Sequence, residues 1–353
     1  MKIACLSGKG GAGKTFVAVN LAAAAGDCTY IDCDVEEPNG RLFLKPEQLQ
    51  TTTVTTLLPA FDPQKCTGCK QCVQACRFHA LLYIKEKPMV FSEVCHSCGL
   101  CGLVCPEQAV SETQKPVGIL EQGKHNAIRV VSGILNEGEA SGVPVIRQAL
   151  QQAEGTTILD CPPGSACNVM ETVLAADYCV LVVEPTAFGF HNFQMVYELV
   201  SLLHKPCGVV INKQTQPYEP LERFCAEHRL TVLDTIPYDA KLAEQLAQNE
   251  IAAERFPQHR ERFAALLKTM KRILLLSGKG GTGKTTVSSA LIRLSQAKAV
   301  ADCDVDAPNL HLVLQEKEKA QVCAQTCAQV SEFFGGEKAA VDPALCTGCG
   351  RCE

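Results

Sequence analysis

The run Ser7-Gly8-Lys9-Gly10-Gly11-Ala12-Gly13-Lys14-Thr15 brings together residue types that can hold a polyphosphate. From Gly8 it fits G-x4-G-K-[ST], in which glycines let backbone N–H groups close around phosphate oxygens. Lys14 then reaches the terminal phosphates and Thr15 offers a hydroxyl to Mg2+. Phe16 continues into a helix whose N-terminus faces the anion. Far along the chain, Thr157-Ile158-Leu159-Asp160 is a short apolar strand ending in a carboxylate. An aspartate in that position, opposite a phosphate loop, holds Mg2+ through water. Together these residues predict a bound nucleoside triphosphate with its metal.

A second chemistry is written in cysteine. Cys66, Cys69, Cys72 and Cys76, then Cys95, Cys98, Cys101 and Cys105, form two successive C-x2-C-x2-C-x3-C runs, the second followed by Pro106 and the first by Arg77. This resembles the bacterial ferredoxin run, in which the fourth cysteine of each set ligates the other cluster. Iron in a cubane is held by soft thiolate sulfur, so the reading is two [4Fe–4S] clusters. One falls to Cys66, Cys69, Cys72 and Cys105, the other to Cys95, Cys98, Cys101 and Cys76. Zinc is the rival metal, and two identical four-cysteine runs in succession argue against it.

The elements that must position these groups are legible as alternating apolar runs and helical patterns. Ile3–Leu6 is a strand leading into the phosphate loop, and Phe16–Ala25 a helix leading out of it. Thr29–Asp32 is a second buried strand, followed by Cys33-Asp34-Val35-Glu36-Glu37-Pro38-Asn39. Val143–Gln152 reads as a helix. Tyr178–Val183, Gly208–Ile211 and Thr231–Ile236 read as strands, and Glu250–Lys271 as a helix carrying Phe263, Leu266 and Leu267 at core spacing. Such alternation predicts an α/β fold with a mainly parallel sheet covered by helices on both faces.

In these residues the chain resembles the MinD/ParA/Mrp superfamily of P-loop ATPases, which includes the nitrogenase iron protein. The form Lys-Gly-Gly-x-Gly-Lys-Thr is that superfamily's deviant Walker A loop. The resemblance implies ATP as the nucleotide, with Gly8, Lys9, Gly10, Gly11, Ala12, Gly13, Lys14, Thr15 and Phe16 around its phosphates. It implies face-to-face dimers in which Lys9 serves the partner's phosphates. Asp34 would position the attacking water, Asp32 would lie near the metal with Thr15 and Asp160, and Asp160-Cys161-Pro162-Pro163-Gly164 would form switch II. Asn212 and the segment from Pro237 to Asp239 would cradle adenine. Cys167, seven residues past Asp160, has a spacing like that of a bridging-cluster ligand in the iron protein, but no second cysteine lies between Cys105 and Cys161 to complete the pair.

The chain then starts again. Gly8 recurs as Gly278 and Asp32 as Asp302, an offset of 270, so Lys279, Gly280, Gly281, Gly283, Lys284, Thr285 and Asp304 repeat the first loop and switch. Cys346, Cys349 and Cys352 repeat the first three cysteines at an offset of 280. The expected organisation is a P-loop ATPase at 1–60, an inserted two-cluster ferredoxin domain at 61–115, the ATPase remainder at 116–271, and at 272–353 the start of a second copy with an incomplete insert. We read the sequence as part of a longer tandem polypeptide.

Composition bounds the function. The 353 residues carry a net charge of −5 and 46% hydrophobic residues, with no Trp. No basic block marks a nucleic-acid surface, no apolar run approaches a membrane span, and 22 cysteines at regular spacings suit metal in a reducing cytoplasm better than disulfides. The expected partners are a redox or metallocofactor acceptor protein and a second copy, as a homodimer or an intramolecular pseudo-dimer. Two roles follow. One is an ATPase that gates electron transfer through the clusters. The other is an Mrp-like iron–sulfur or metallocofactor assembly ATPase.

Overall fold

A computed structural model describes residues 1–270. The expectations on Gly278, Lys279, Gly280, Gly281, Gly283, Lys284, Thr285, Asp302, Asp304, Cys346, Cys349 and Cys352 lie outside them. The strands are β1 (Lys2–Leu6), β2 (Cys28–Asp32), β3 (Glu47–Phe61), β4 (Leu81–Ile84), β5 (Lys87–Val90), β6 (Val110–His125), β7 (Ile128–Leu135), β8 (Thr157–Asp160), β9 (Tyr178–Val183), β10 (Cys207–Gln214) and β11 (Thr231–Pro237). The helices are α1 (Lys14–Ala25), α2 (Gly40–Leu44), α3 (Gln71–Ala75), α4 (Leu100–Leu103), α5 (Val143–Leu150) and α6 (Cys167–Ala175). They continue with α7 (Ala187–Leu202), α8 (Glu219–Glu227), α9 (Ala240–Ala247), α10 (Ala252–Arg255) and α11 (Pro257–Met270).

Nine strands form one sheet in the order β11-β10-β9-β1-β8-β2-β7-β6-β3. From β11 to β7 every pairing is parallel, and β6 and β3 extend that edge antiparallel. Parallel strands buried on both faces must be apolar at successive positions, and β9, Tyr-Cys-Val-Leu-Val-Val, is buried throughout. Alternate residues feed two cores. Ile3, Cys5 and Tyr30 join α1 and α11 on one face, where Phe16 meets Phe263 edge to face at 5.8 Å. Ala4, Leu6 and Ile31 join α5, α6, α7 and α8 on the other. Each buried Leu, Ile or Phe there contributes roughly 1.5–3 kcal/mol.

Two departures from the sequence reading have physical causes. The helix expected over Glu250–Lys271 is broken into α10 and α11 by Pro257, whose ring disfavours helical geometry at the preceding residue. Phe256 is accordingly extended, at φ −127° and ψ 121°. The second departure is β3 and β6, which pair over nearly their whole length, from Glu47 opposite Lys124 to Phe61 opposite Val110. The cysteine-rich segment lies beyond this long ribbon, so its base is a strand pair of the main sheet. Lys115 on β6 braces it, donating from Nζ to the Ser92 carbonyl at 2.9 Å and to Glu139 Oε2 at 2.8 Å.

Candidate functional site

Because β1, β8 and β2 run parallel side by side, their carboxyl ends open onto one crevice, where open α/β sheets bind ligands. Asp32 and Asp160 are register partners at that edge. The loop from Ser7 to Gly13 crosses it and delivers Lys14 as the first residue of α1. Gly13 sits at φ 93°, and a Cβ there would approach Asn212 Nδ2 to 2.0 Å, so only glycine fits both the backbone and the neighbour. Asn212 donates from Nδ2 to the Ala12 carbonyl at 2.9 Å, and Lys213 from Nζ to that of Gly11 at 2.7 Å. Two side chains from the end of β10 therefore brace the loop from behind.

Lys14 is buried among carboxylates. Its Nζ donates to Asp160 Oδ1 at 2.6 Å and stands 3.8 Å from Asp34 Oδ2. Burial works against its charge, but Asp160, Asp32 and Asp34 outweigh that and raise its pKa above the ordinary lysine value. Asp32, fully buried, accepts from the backbone N–H groups of Asp34 at 3.1 Å and Gly40 at 2.8 Å. Burial and then the neighbouring Asp160 push its pKa up to about 8. Asp34 is pushed up to about 6, again by burial first, with Lys14 opposing and Asp160 reinforcing. The Tyr30 hydroxyl donates to the remaining oxygen of Asp160 at 2.9 Å.

The sign of the resulting pH dependence is fixed. A carboxyl whose folded pKa lies above its unfolded value binds its proton more tightly when folded. Its stabilising contribution is complete below about pH 4, the unfolded carboxylate value, and is lost as pH rises through the folded pKa. For the nucleotide-free chain, the slope of thermal stability against pH between about 4 and 8 should therefore be flatter in Asp32→Asn than in wild type. Equal slopes in calorimetric melts would mean that Asp32 is not so perturbed.

Not every expected residue meets at this crevice. Lys9 lies against its own chain, its Nζ 3.0 Å from Glu184 Oε2 and 5.2 Å from the centroid of the Phe188 ring. Thr15 is half-buried at the start of α1. Asp239 caps α9, accepting from the Lys241 N–H at 2.9 Å, and the neighbouring Tyr238 N–H donates to the Gln214 carbonyl at the end of β10. Cys5, Cys33 and Cys161 lie in or beside the sheet. Burial first raises all three thiols, Cys161 to about 12, so they remain neutral. Cys167 is exposed on α6. Nothing in the sequence marks Tyr30 or Glu184 as partners of the loop, since each reads as an ordinary strand or strand-end residue.

Beyond the ribbon, the eight cysteines separate into two pockets. Cys66, Cys69, Cys72 and Cys105 line one, beside Tyr83 and Pro88. Cys76, Cys95, Cys98 and Cys101 line the other, beside Phe78 and His96, whose rings stack at 3.9 Å. The backbone repeats at an offset of 29. The Cys66 N–H donates to the Asp62 carbonyl and the Cys95 N–H to that of Phe91, while the Cys76 N–H donates to Val73 and the Cys105 N–H to Gly102. Left-handed residues recur in step, Gly68 with Ser97, Lys70 with Gly99 and His79 with Gln108. Among the described residues no group of three or more His, Cys, Asp or Glu is gathered closely enough to hold a single metal ion. Each cysteine of a cubane binds a different iron, so its donors surround a larger body.

A glycine-rich loop between the first strand and first helix of a mainly parallel sheet, with Lys14 and two aspartates at the strand ends, defines a P-loop nucleotide-binding protein. The model of the CobQ/CobB/MinD/ParA nucleotide binding domain matches residues 3–252 and 273–346, and the chain belongs to that family. Two uncharacterized proteins of Methanocaldococcus jannaschii are similar to it. MJ0579 is 25% identical over 71% of this chain and 90% of its own length. MJ0578 is also 25% identical, over 78% and 98%. Among solved structures, the septum site-determining protein MinD of Pyrococcus horikoshii, complexed with Mg-ADP, is 17% identical, with a TM-score of 0.48 covering 77% of this chain and 96% of that one. The cell division ATPase MinD of Pyrococcus furiosus is 18% identical, with a TM-score of 0.47 covering 76% and 99%. No described helix is long and apolar enough to cross a membrane.

Proposed function

We propose that the protein is an ATPase that couples a nucleotide-dependent dimer cycle to electron transfer through two [4Fe–4S] clusters to a partner protein. The observation that carries this reading is the separation of the eight cysteines into two pockets with the fourth cysteine exchanged, on a ribbon continuous with the sheet that bears the phosphate loop. Four thiolates without histidine or carboxylate are the donor set of a cubane. When bound, the clusters would supply one-electron transfer at low potential. Exposed Leu103, Phe91 and Val94 on the inserted segment offer apolar surface for an acceptor protein.

At the nucleotide site the chain's own residues divide the work. Lys14 would leave Asp160 for the terminal phosphates, backbone N–H groups from Gly8 to Thr15 would cradle them, and Thr15 and Asp160, with Asp32 nearby, would hold Mg2+. Asp34, the least buried of the three aspartates, would orient the attacking water. Asn212 and the Pro237–Asp239 segment would border the base, with Asn212 also bracing the loop. The proposed boundaries are ATPase at 1–60 and 116–271, insert at 61–115 and a second copy from 272. The family match over 273–346 supports that copy.

The assembly-factor reading stays the alternative, and a single comparison separates the two. Electron relay predicts ATP-dependent reduction of an acceptor with the iron retained, whereas assembly predicts movement of labelled iron to an apo-protein. For the clusters themselves, anaerobic reconstitution should load about eight iron per chain into the first insert, following from two four-iron sites. Cys76→Ser should damage the cluster whose other donors are Cys95, Cys98 and Cys101, and spare the one that begins at Cys66. Spectroscopic loss at the Cys66 set instead would overturn the exchanged ligation.

A further inference from the structure

Tyr30 of β2 touches the nucleotide machinery through Asp160, and the roles assigned under the proposed function leave it unused. Its ring is fully buried between the sheet and α1, and its hydroxyl donates to Asp160 Oδ2 at 2.9 Å. Among the described residues the other oxygen of Asp160 is held by Lys14 alone. Asp160 itself is 1% exposed. A nucleotide that draws Lys14 to its phosphates therefore takes from this buried carboxylate the one charged donor that the described residues give it. A carboxylate left without donors in such a place loses its orientation and is costly to keep ionised.

We propose that Tyr30 is a positioning residue that holds Asp160 once Lys14 has moved, keeping one carboxylate oxygen fixed so that the other presents to the water shell of Mg2+. This rests on the nucleotide-site reading above. A phenol suits the task because it donates without bringing a charge that would compete with Mg2+. It is also held rigidly, since β2 pairs with β8 and Asp32 lies opposite Asp160.

The placement has a steric consequence in the loop that follows Asp34. A Cβ on Gly40 would stand 2.0 Å from the Tyr30 hydroxyl oxygen and 2.5 Å from Cε1 and Cζ, although the backbone of Gly40 does not lie at positive φ. Glycine is therefore required there by Tyr30, not by its own backbone. That glycine's N–H in turn donates to Asp32 Oδ2 at 2.8 Å, so the phenol, the start of α2 and both metal-side aspartates form one packed unit. The sequence carries an independent sign of the unit. At the offset of 270 that aligns Asp32 with Asp302, the tyrosine becomes Val300 and the glycine becomes Leu310. In sequence, the large residue moves from one position to the other, which is the exchange expected of two positions that share one volume.

The test uses the full chain. Tyr30→Phe keeps the ring and removes the donor. It should raise the Mg2+ concentration for half-maximal ATP hydrolysis about tenfold and lower kcat by about ten- to a hundredfold, as loss of a hydrogen bond to a charged group implies. Calorimetric binding of ADP without Mg2+ should stay within about twofold of wild type by the same reasoning, because the lost bond touches no phosphate. A merely structural tyrosine would lower Tm without moving the Mg2+ requirement, and that outcome overturns the proposal. Gly40→Leu should lower Tm sharply, and Tyr30→Val with Gly40→Leu should restore Tm while keeping the Mg2+ defect. A double variant no more stable than Gly40→Leu overturns the shared-volume argument. Wild type that binds no nucleotide would refute the underlying reading as well, whereas normal wild type with unchanged variants refutes Tyr30 alone.

Discussion

Lys14→Ala should abolish tight Mg-ATP binding, and Asp34→Ala should keep binding while losing hydrolysis. In the proposed site Lys14 is the buried cation of the glycine loop that would meet the terminal phosphates. Removing two or more charge-assisted hydrogen bonds weakens binding by at least about a hundredfold. Asp34 stands 3.8 Å from Lys14, beyond direct hydrogen-bond distance. A group that only orients water is needed in the transition state and not for affinity, so its loss should leave Kd within a few-fold and reduce kcat by about a hundredfold or more. The structure adds a second effect. With Lys14 gone, the buried Asp32 and Asp160 face each other without a cation, and breaking a buried pair from one side costs roughly 3–5 kcal/mol. Circular dichroism melts of Lys14→Ala should fall at neutral pH, and titration calorimetry below the melting range separates that loss from the loss of binding. Equal loss of affinity in Lys14→Ala and Asp34→Ala would give Asp34 a structural role.

Much of this site is legible in the sequence because its elements are punctuated by the residues that do the chemistry. The loop glycines end β1, Asp32 ends β2 and Asp160 ends β8, so pattern and chemistry mark the same boundaries. The cysteine runs are equally plain, since ligand spacing survives without any knowledge of the surrounding fold. The ribbon of β3 and β6 is not legible in this way, for the opposite reason. Residues 47–53 of β3 are exposed, so that end of the strand shows no alternation of apolar and polar residues. The run Thr51-Thr52-Thr53-Val54-Thr55-Thr56 was the available signal, because β-branched residues favour strands. β7, Ile-Arg-Val-Val-Ser-Gly-Ile-Leu, lies between the expected end of the insert and the helix at Val143, where the sequence reading places no strand.

The contacts that steer the loop were harder to read. Glu184 closes β9 and pairs with Lys9 across 175 positions, and Tyr30 reaches Asp160 across 130. Neither residue type announces such a partner, because a strand-end glutamate is usually solvated and a strand tyrosine is usually core. Only the strand order, which sets β9 beside β1 and β8 beside β2, brings them together. Pro257 is a break signal in the sequence, yet the helical spacing on either side of it predicts a single helix.

Lys9→Ala should leave ATP affinity nearly intact while removing dimerisation and turnover, if Lys9 serves a neighbouring nucleotide. In the structure that lysine is folded back onto Glu184 and over the exposed Phe188, so the trans role requires release. The cost of release is small. A partly exposed ion pair contributes about 0–1 kcal/mol and an exposed cation–π contact about 0.5–1 kcal/mol. One charge-assisted bond to a phosphate at a desolvated interface gains about 1.5–3 kcal/mol, enough to draw Lys9 across. The same figures bound the effect of the cis partner. Glu184→Gln removes only the ion pair, so it should favour the ATP-bound dimer by at most about fivefold. Sedimentation with a non-hydrolysable ATP analogue measures both variants. A Lys9→Ala chain that still dimerises and hydrolyses at the wild-type rate would leave Lys9 as a local brace for Glu184 and end the trans-acting role.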